Sequence, residues 1–489
     1  MSRAWILALA VSGLVGTLTV PASAQLQGQI LRIAIGAPLT GGAATFGVEM
    51  KQAAELALDE KNAAGGILGA RVEAETADDE ASDAKGRAVA QGFCSRPDVL
   101  GVIGHVNSNV TIAASSVYQG CDLAMITPMS SNPAVTDRGL ANVFRLTNRD
   151  DHKGPGLAAY LYGTRGKRKA VVVDDQTAYG KGLADLFVGA FTRLGGAVVA
   201  RQPIKVGDRD FRSLLQALPK DFDVLFFGGI AEAAYLLKQM RELGFNQLFA
   251  CGDGCWNVKG FIQPAGDAAA TGEGVVVLAA APAVGRVPGS AEFAQRYTQR
   301  YGPIANYAAS SYDSTRLLLE AVERAAKAHR RLPSRAEVVE VLRAFKFQGV
   351  AYARPIEWDA KGDNVSAVIF VNVVEGDHFK EVGEITRDQV PKQRRAGRLQ
   401  PIRSVPPAVV LLPRVGLRTV GRRQLDVLPV VLVEEGDAAA GLVLQRLELV
   451  EGVGGGVVIH HRDAGLLVGV EDGDVELEQG AIAPERAVA

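Results

Sequence analysis

The sequence predicts an α/β protein of two similar lobes, each a doubly wound parallel sheet, followed by an atypical tail. Three observations lead there. From Gln29 to about Ile385, short apolar runs alternate with longer amphipathic stretches, the pattern of strand and helix in parallel sheets. Near Lys169 the series starts afresh, as a second set of βα units would. After Lys392 the composition breaks, with no Lys, Asn, Cys, Met or aromatic residue through Ala489.

The elements follow in order. LRIAIGAP reads as a first strand. Met50, Ala53, Ala54, Ala57 and Leu58 then take the i, i+3, i+4, i+7, i+8 spacing of a helix with one apolar face, which Gly65-Gly66 ends. RVEAETA, VLGVIGH and LAMITP supply strands, separated by helical stretches around 84–93 and 110–119. In the second series KAVVVDD is a strand, and Leu183, Phe187, Ala190 and Leu194 line a helix face. AVVARQPI, DVLFFGG and QLFACGD are further strands, divided by the helical FRSLLQALP and AAYLLKQMRELG.

Ahead of this lies a basic Arg3, an apolar run from Trp5 to Val20 and the small-residue site Ala22-Ser23-Ala24. That order is a secretory leader over 1–24, cleaved near Ala24, so a soluble, exported product is expected. The alternative, an uncleaved anchor, meets a run short of the usual span of about 20 apolar residues. A net charge of -1 gives no basic field for nucleic acid, which points to a small molecule or another protein as partner. Four cysteines permit three pairings; Cys251 and Cys255 flank the short loop GDG, while Cys94 and Cys121 each precede an apparent strand. CGDGC is a poor metal site, with two thiols and no second Cys/His pair nearby, and no metal or cofactor is expected.

Ligands in doubly wound sheets bind beyond the carboxyl ends of the strands, so the residues there matter most. In the first series these are 40–46, 104–108 and 128–131; in the second, 174–179, 228–230 and 252–253. The first set is rich in hydroxyls and the second holds an aromatic and an acid. Together they suit a zwitterion with an apolar side chain. Ser108, in GHVNSNVTIAAS, stands where a strand gives way to a helix, and two readings compete: an ordinary N-cap, or a hydroxyl that joins the free N–H groups of the helix start to hold an anion. Tyr179 as a surface residue, and Asp253 as the turn residue of an Asp-Gly pair, are the plainer readings of those two. Asp150-Asp151-His152 reads as a helix cap leading into a hinge.

Enzyme classes fit poorly. A dinucleotide-binding turn needs Gly-x-Gly-x-x-Gly after its strand, whereas the first turn is GAPLTGG. A nucleophile elbow needs Gly-x-Ser-x-Gly, and the chain has GHVNSNV.

Over about residues 28–386 the chain resembles the periplasmic leucine/isoleucine/valine-binding proteins of ABC transporters, the type I periplasmic-binding fold. The likeness rests on LRIAIGAPLTGGAATFGVEMKQAAELALDEKNAAGGILGARVE, VIGHVNSNVTIAASSVY, MITPMSSNPAVTDRG, FRLTNRDDHKGP, DQTAYGKGLAD and YDSTRLLLEAVERA. It implies two lobes joined by three hinge crossings, near Leu146, Val276 and Ala353. Lobe 1 would then be 28–146 with 277–353, and lobe 2 would be 147–276 with 354–386. It also implies a periplasmic protein that binds an amino acid and hands it to a permease, with no catalysis.

Residue by residue, the resemblance implies that Ser108 binds the ligand carboxylate and that Ser131 is its partner hydroxyl. It implies that Met129 offers its carbonyl to the ammonium, Tyr179 is an aromatic of the second lobe, and Asp253 pairs with the ammonium. Phe46 takes the place of a cleft-edge aromatic often seen as Tyr. Two departures bear on the ligand: Ile230 stands where leucine-binding members often carry Tyr, and Asp253 is shorter than the usual Glu. A sensor module on the same fold, or a carrier for a small amide or carboxylic acid, are the neighbouring readings.

The tail, 387–489, is unlike a continuation of this fold. A disordered appendage, a small Val-rich β module and translation through an unintended frame compete to explain it, and VVIHHRDAGLLVGVEDGDVELEQGA shows no clean period. Its His460-His461 pair is a weak metal candidate, and function is expected upstream.

Overall fold

The computed structural model describes residues 26–386, apart from 305 and 345, together with four strands of the tail. The expected leader lies outside the described residues. In the first series the elements are β1 (Ile30–Ala37), α1 (Ala44–Ala63), β2 (Arg71–Asp78), α2 (Asp83–Cys94), β3 (Val99–Gly104), α3 (Ser108–Gln119), β4 (Met125–Thr127), α4 (Ala134–Asp137) and β5 (Val143–Arg145). The second series runs α5 (Asp150–Ala159), β6 (Lys169–Asp174), α6 (Ala178–Arg193), β7 (Ala197–Pro203), α7 (Arg212–Gln216), β8 (Val224–Gly228), α8 (Ala233–Glu242), β9 (Leu248–Cys251), α9 (Gln263–Ala265) and β10 (Val275–Ala279). Three helices, α10 (Ser290–Tyr301), α11 (Ala308–His329) and α12 (Arg335–Ala344), precede the strands β11 (Ile369–Glu375) and β12 (His378–Ile385).

The two sheets repeat one plan. The first has the order β2-β1-β3-β4-β5, and the second contains β7-β6-β8-β9-β10 in the same sense before adding β11 and β12. Strands up to β10 pair in parallel, while β11 is antiparallel to both neighbours. Central strands such as VLGVIG of β3 and VLFFG of β8 are buried throughout, as parallel strands covered by helices on both faces must be. The apolar stripe of α1 faces inward as its spacing predicts, with Met50, Ala53, Ala54, Ala57 and Leu58 buried. Gly65 and Gly66, at φ +98° and +73°, end that helix in the left-handed region that glycine enters at little cost.

After β10 the chain returns to the first sheet. α11 packs on α1 and β3 so closely that a Cβ on Gly101 would sit 2.6 Å from a Leu318 methyl. Arg335 at the start of α12 fastens it there, donating to the carbonyls of Val99 at 3.0 Å and Arg96 at 2.6 Å. β10 lies wholly in the second sheet, so the chain leaves that sheet beyond Ala279, a little past Val276. Where the first crossing begins, Arg145 is completely buried, and its Nε donates to Asp363 at 2.8 Å. The carbonyl of Leu146 accepts from the Tyr352 hydroxyl and from Asn364 Nδ2, both at 3.1 Å. The chain segments that run between the sheets are thus tied to one another.

Cys94 pairs with Cys121, and Cys251 with Cys255. Among the described residues no helix is long and apolar enough to cross a membrane.

The tail is a separate unit beginning at Arg394. Its described residues form β13 (Glu448–Glu451), β14 (Val457–His460), β15 (Leu467–Glu471) and β16 (Asp474–Glu478), an antiparallel meander in that order. These strands pair although VVIHHRDAGLLVGVEDGDVELEQGA shows no clean period along the sequence. Strands of four or five residues are too short to display a period, and the Asp472-Gly473 dipeptide between the last two is a hairpin signal. His460 closes β14, and His461 lies outside the described residues, as does most of 387–489.

Candidate functional site

The carboxyl ends of both sheets face a common cavity with about 330 Å³ of empty volume. Phe46, Ser108, Met129, Tyr179, Ile230 and Asp253 all line it, joined by Val106, Asn107, Gly254 and Tyr307. Six of the seven residues singled out in the sequence therefore meet there. Ser131 is the exception: it is buried, but not on the cavity wall.

On the first-lobe side, α3 begins at Ser108, with Asn107 as its N-cap in extended conformation and no side-chain cap bond. The N-cap reading of Ser108 is corrected accordingly. Its hydroxyl oxygen accepts from Asn132 N at 3.3 Å, which leaves the O–H free to donate elsewhere. The first N–H groups of any helix lack intrahelical acceptors and carry partial positive charge, so this wall is suited to a carboxylate. The adjoining loop is pinned: Met129 N and Ser130 N donate to the Thr127 hydroxyl, which itself donates to the His105 carbonyl at 2.8 Å.

On the second-lobe side, Asp253 follows β9 and is 2% exposed. Tyr179, from the first turn of α6, donates its hydroxyl to Asp253 Oδ1 at 2.9 Å and accepts from Gly254 N at 2.8 Å. A Cβ at Gly254 would lie 2.5 Å from the Gly229 carbonyl, so only glycine permits this turn to close on Tyr179. Tyr307, the N-cap residue of α11, donates its hydroxyl to Asp253 Oδ2. Burial, and then the Asp253 charge, hold both phenols well above their usual range, so they remain donors. Tyr179 is buried, so the surface reading is corrected, while Asp253 does open a turn, its backbone carbonyl accepting from Trp256 N at 3.1 Å, and its side chain faces the cavity.

A third partner was not foreseen. Lys153, on α5 and fully buried, forms an ion pair with Asp253 Oδ2. Its Nζ also lies 3.8 Å from Asp150 Oδ1. Asp150 opens α5 without making a cap bond and is completely buried, so the cap reading of Asp150 is corrected. Burial pushes its carboxyl up to about 7; Lys153 pulls the other way, the nearby Asp253 charge adds to the rise, and the approaching Ser131 hydroxyl opposes it. Ser131 thus serves the floor behind the cavity: its carbonyl accepts from Asp150 N at 2.9 Å, and its hydroxyl has no hydrogen bond of ordinary geometry.

The walls also meet directly. Asn257 Nδ2 donates to the Thr45 hydroxyl at 3.0 Å, Asn132 Nδ2 donates to the Ala178 carbonyl at 2.5 Å, and Trp256 packs edge-on against Tyr307. Sequence reasoning missed Tyr307 and Lys153. The one local signal was the Asp150/Lys153 spacing, which places opposite charges three residues apart on a helix.

The family model described as periplasmic binding protein matches residues 31–377. An amino acid binding protein of Pseudomonas aeruginosa is 37% identical over 254 residues, which cover 52% of this chain and 66% of that protein. The Leu/Ile/Val-binding protein homolog 1 of Brucella abortus is 37% identical over 224 residues, 45% of this chain and 60% of that one. The chain thus spans less than two thirds of the length of either relative. A solved leucine binding protein, LivK, of Thermotoga maritima superposes with a TM-score of 0.66 at 29% identity, covering 73% of this chain and 99% of that one. With the matched region running from β1 through β11 and including every residue of the cavity wall, the chain belongs to the periplasmic binding protein family.

Proposed function

We propose that this chain is an extracytoplasmic solute-binding protein that carries a small apolar amino acid, of the leucine, isoleucine and valine class, to the permease of an ABC importer in the membrane, and does no chemistry on it. The observation that carries the reading is the cavity's two-sided chemistry. Ser108 at the start of α3 offers donors for a carboxylate, Asp253 offers an acid across from it, and Phe46, Val106, Met129 and Ile230 form the apolar surround. The names of the Pseudomonas, Brucella and Thermotoga relatives support the ligand class. Two internal disulfides suit an oxidising compartment outside the cytoplasm, in keeping with a cleaved leader over 1–24.

In this reading lobe 1 comprises 28–146 and the helices up to about 353, and lobe 2 the second sheet. The crossings near Leu146, beyond Ala279 and near Ala353 act as the hinge on which the lobes close. A thermal-shift screen of amino acids on the full chain tests the function. A ligand at 100 times its Kd is expected to add about 2.7 kcal/mol of stability. No shift with any apolar amino acid, alongside a shift with some other solute class, would overturn the ligand assignment.

A further inference from the structure

Among the described residues Asp253 is the only carboxylate or ammonium group on the cavity wall, and it already has partners. A carboxylate offers about four lone-pair sites. Three donors use them here: Tyr179 on Oδ1, and Tyr307 and Lys153 on Oδ2. Of these, Lys153 alone brings a full positive charge, from behind the wall and completely out of water. Charge interactions in such surroundings are far less screened than at a surface. Asp253 therefore has a cationic partner before any ligand arrives, one that it shares with the buried Asp150 3.8 Å from the same ammonium. On the opposite wall, Ser108 and the start of α3 address a carboxylate.

Resting on the ligand class proposed above, we infer that Lys153 is a specificity-determining residue: by standing in for a ligand ammonium at Asp253, it lets the cavity take small apolar carboxylates with or without an α-amino group. Lys153 does not line the cavity, and so acts through Asp253 and not by touching the ligand. The same pairing keeps the empty site from holding an uncompensated buried charge, which is costly. An unpaired acid would discriminate sharply, because a ligand that lacks the cation leaves the acid without a partner. Deamination of the ligand would then cost about thirty-fold or more in affinity, the low end for removing one member of a buried charge pair.

The test is calorimetry of the full chain with two probes of matched shape, leucine and 4-methylpentanoate. The expected result is a ratio of affinities below about thirty-fold for the unmodified chain, which needs no variant to fold. In Lys153→Gln, and in Lys153→Met as a second shape, the ratio is expected to move toward leucine by about ten-fold or more, as Asp253 becomes free for the ammonium. A role limited to structure would weaken both probes alike and leave the ratio unmoved. A preference for leucine above about thirty-fold in the unmodified chain overturns the inference, as does an unchanged ratio in folded variants. Failure of both probes to bind strikes the proposed function itself, and takes the inference with it.

Discussion

At the scale of single residues, the site combines one hydroxyl at a helix start with one acid held by three donors. Ser108→Ala removes a hydrogen bond to a charged group, and calorimetry with the preferred ligand is expected to show a loss of about 1 to 3 kcal/mol. Equal affinity would mean that the carboxylate is held elsewhere. Asp253→Ala is expected to act on folding as much as on binding, since it removes the nearer of the two acids that face the buried Lys153 and leaves Asp150 at 3.8 Å. Breaking one side of a buried pair usually costs about 3 to 5 kcal/mol, so denaturant melts without ligand are expected to show a loss of that order. A variant as stable as the parent would show that Lys153 turns to Asp150 or to water once its partner is gone. None of this was legible at Lys153 or Tyr307 in the sequence. Each owes its role to a partner far along the chain, Lys153 at a separation of 100 residues and Tyr307 at 54, and local spacing says nothing about contacts of that range.

At the scale of elements, long amphipathic helices and buried strands could be read because their periods are set by local geometry. The inward stripe of α1 and the strands β6 and β8 fall where the pattern puts them. β5, with three residues, and the β11–β12 hairpin escaped notice, the first because it is too short for a period and the second because it breaks the βα alternation. Ser108, Tyr179 and Asp253 were found because each stands directly beyond a strand, where the topology places ligands.

One element carries a pH signature. Glu49 on α1 is buried, and its Oε1 accepts from Tyr307 N while Oε2 has no partner. Burial raises its pKa from 4.5 to about 8, against the opposing pull of backbone bonds from Tyr307 and Ala308. An acid whose folded pKa exceeds its unfolded value binds protons more tightly when folded, so stability falls as pH rises between the two. Melting temperature is therefore expected to decline from pH 5 to pH 8, and Glu49→Gln, which keeps the acceptor for Tyr307 N, to flatten that decline. A parallel decline in the variant would place the titration on another buried acid, such as Asp150 or Asp313.

At the scale of the whole molecule, two sheets of one plan meet at a cavity whose walls are bridged by Tyr307, Asn257 and Asn132. The Arg145, Asp363, Tyr352 and Asn364 cluster ties the crossings together at their base, which suits rotation of the lobes as rigid bodies better than bending within either. In the proposed function the ligand is held between the two lobes and draws them together. Small-angle scattering from the full chain, titrated with the ligand that gives the largest thermal shift, tests this most directly. The expected result is a radius of gyration that falls as the ligand is added and levels off where calorimetry reports saturation. An unchanged radius in a sample that calorimetry shows to be saturated would contradict it.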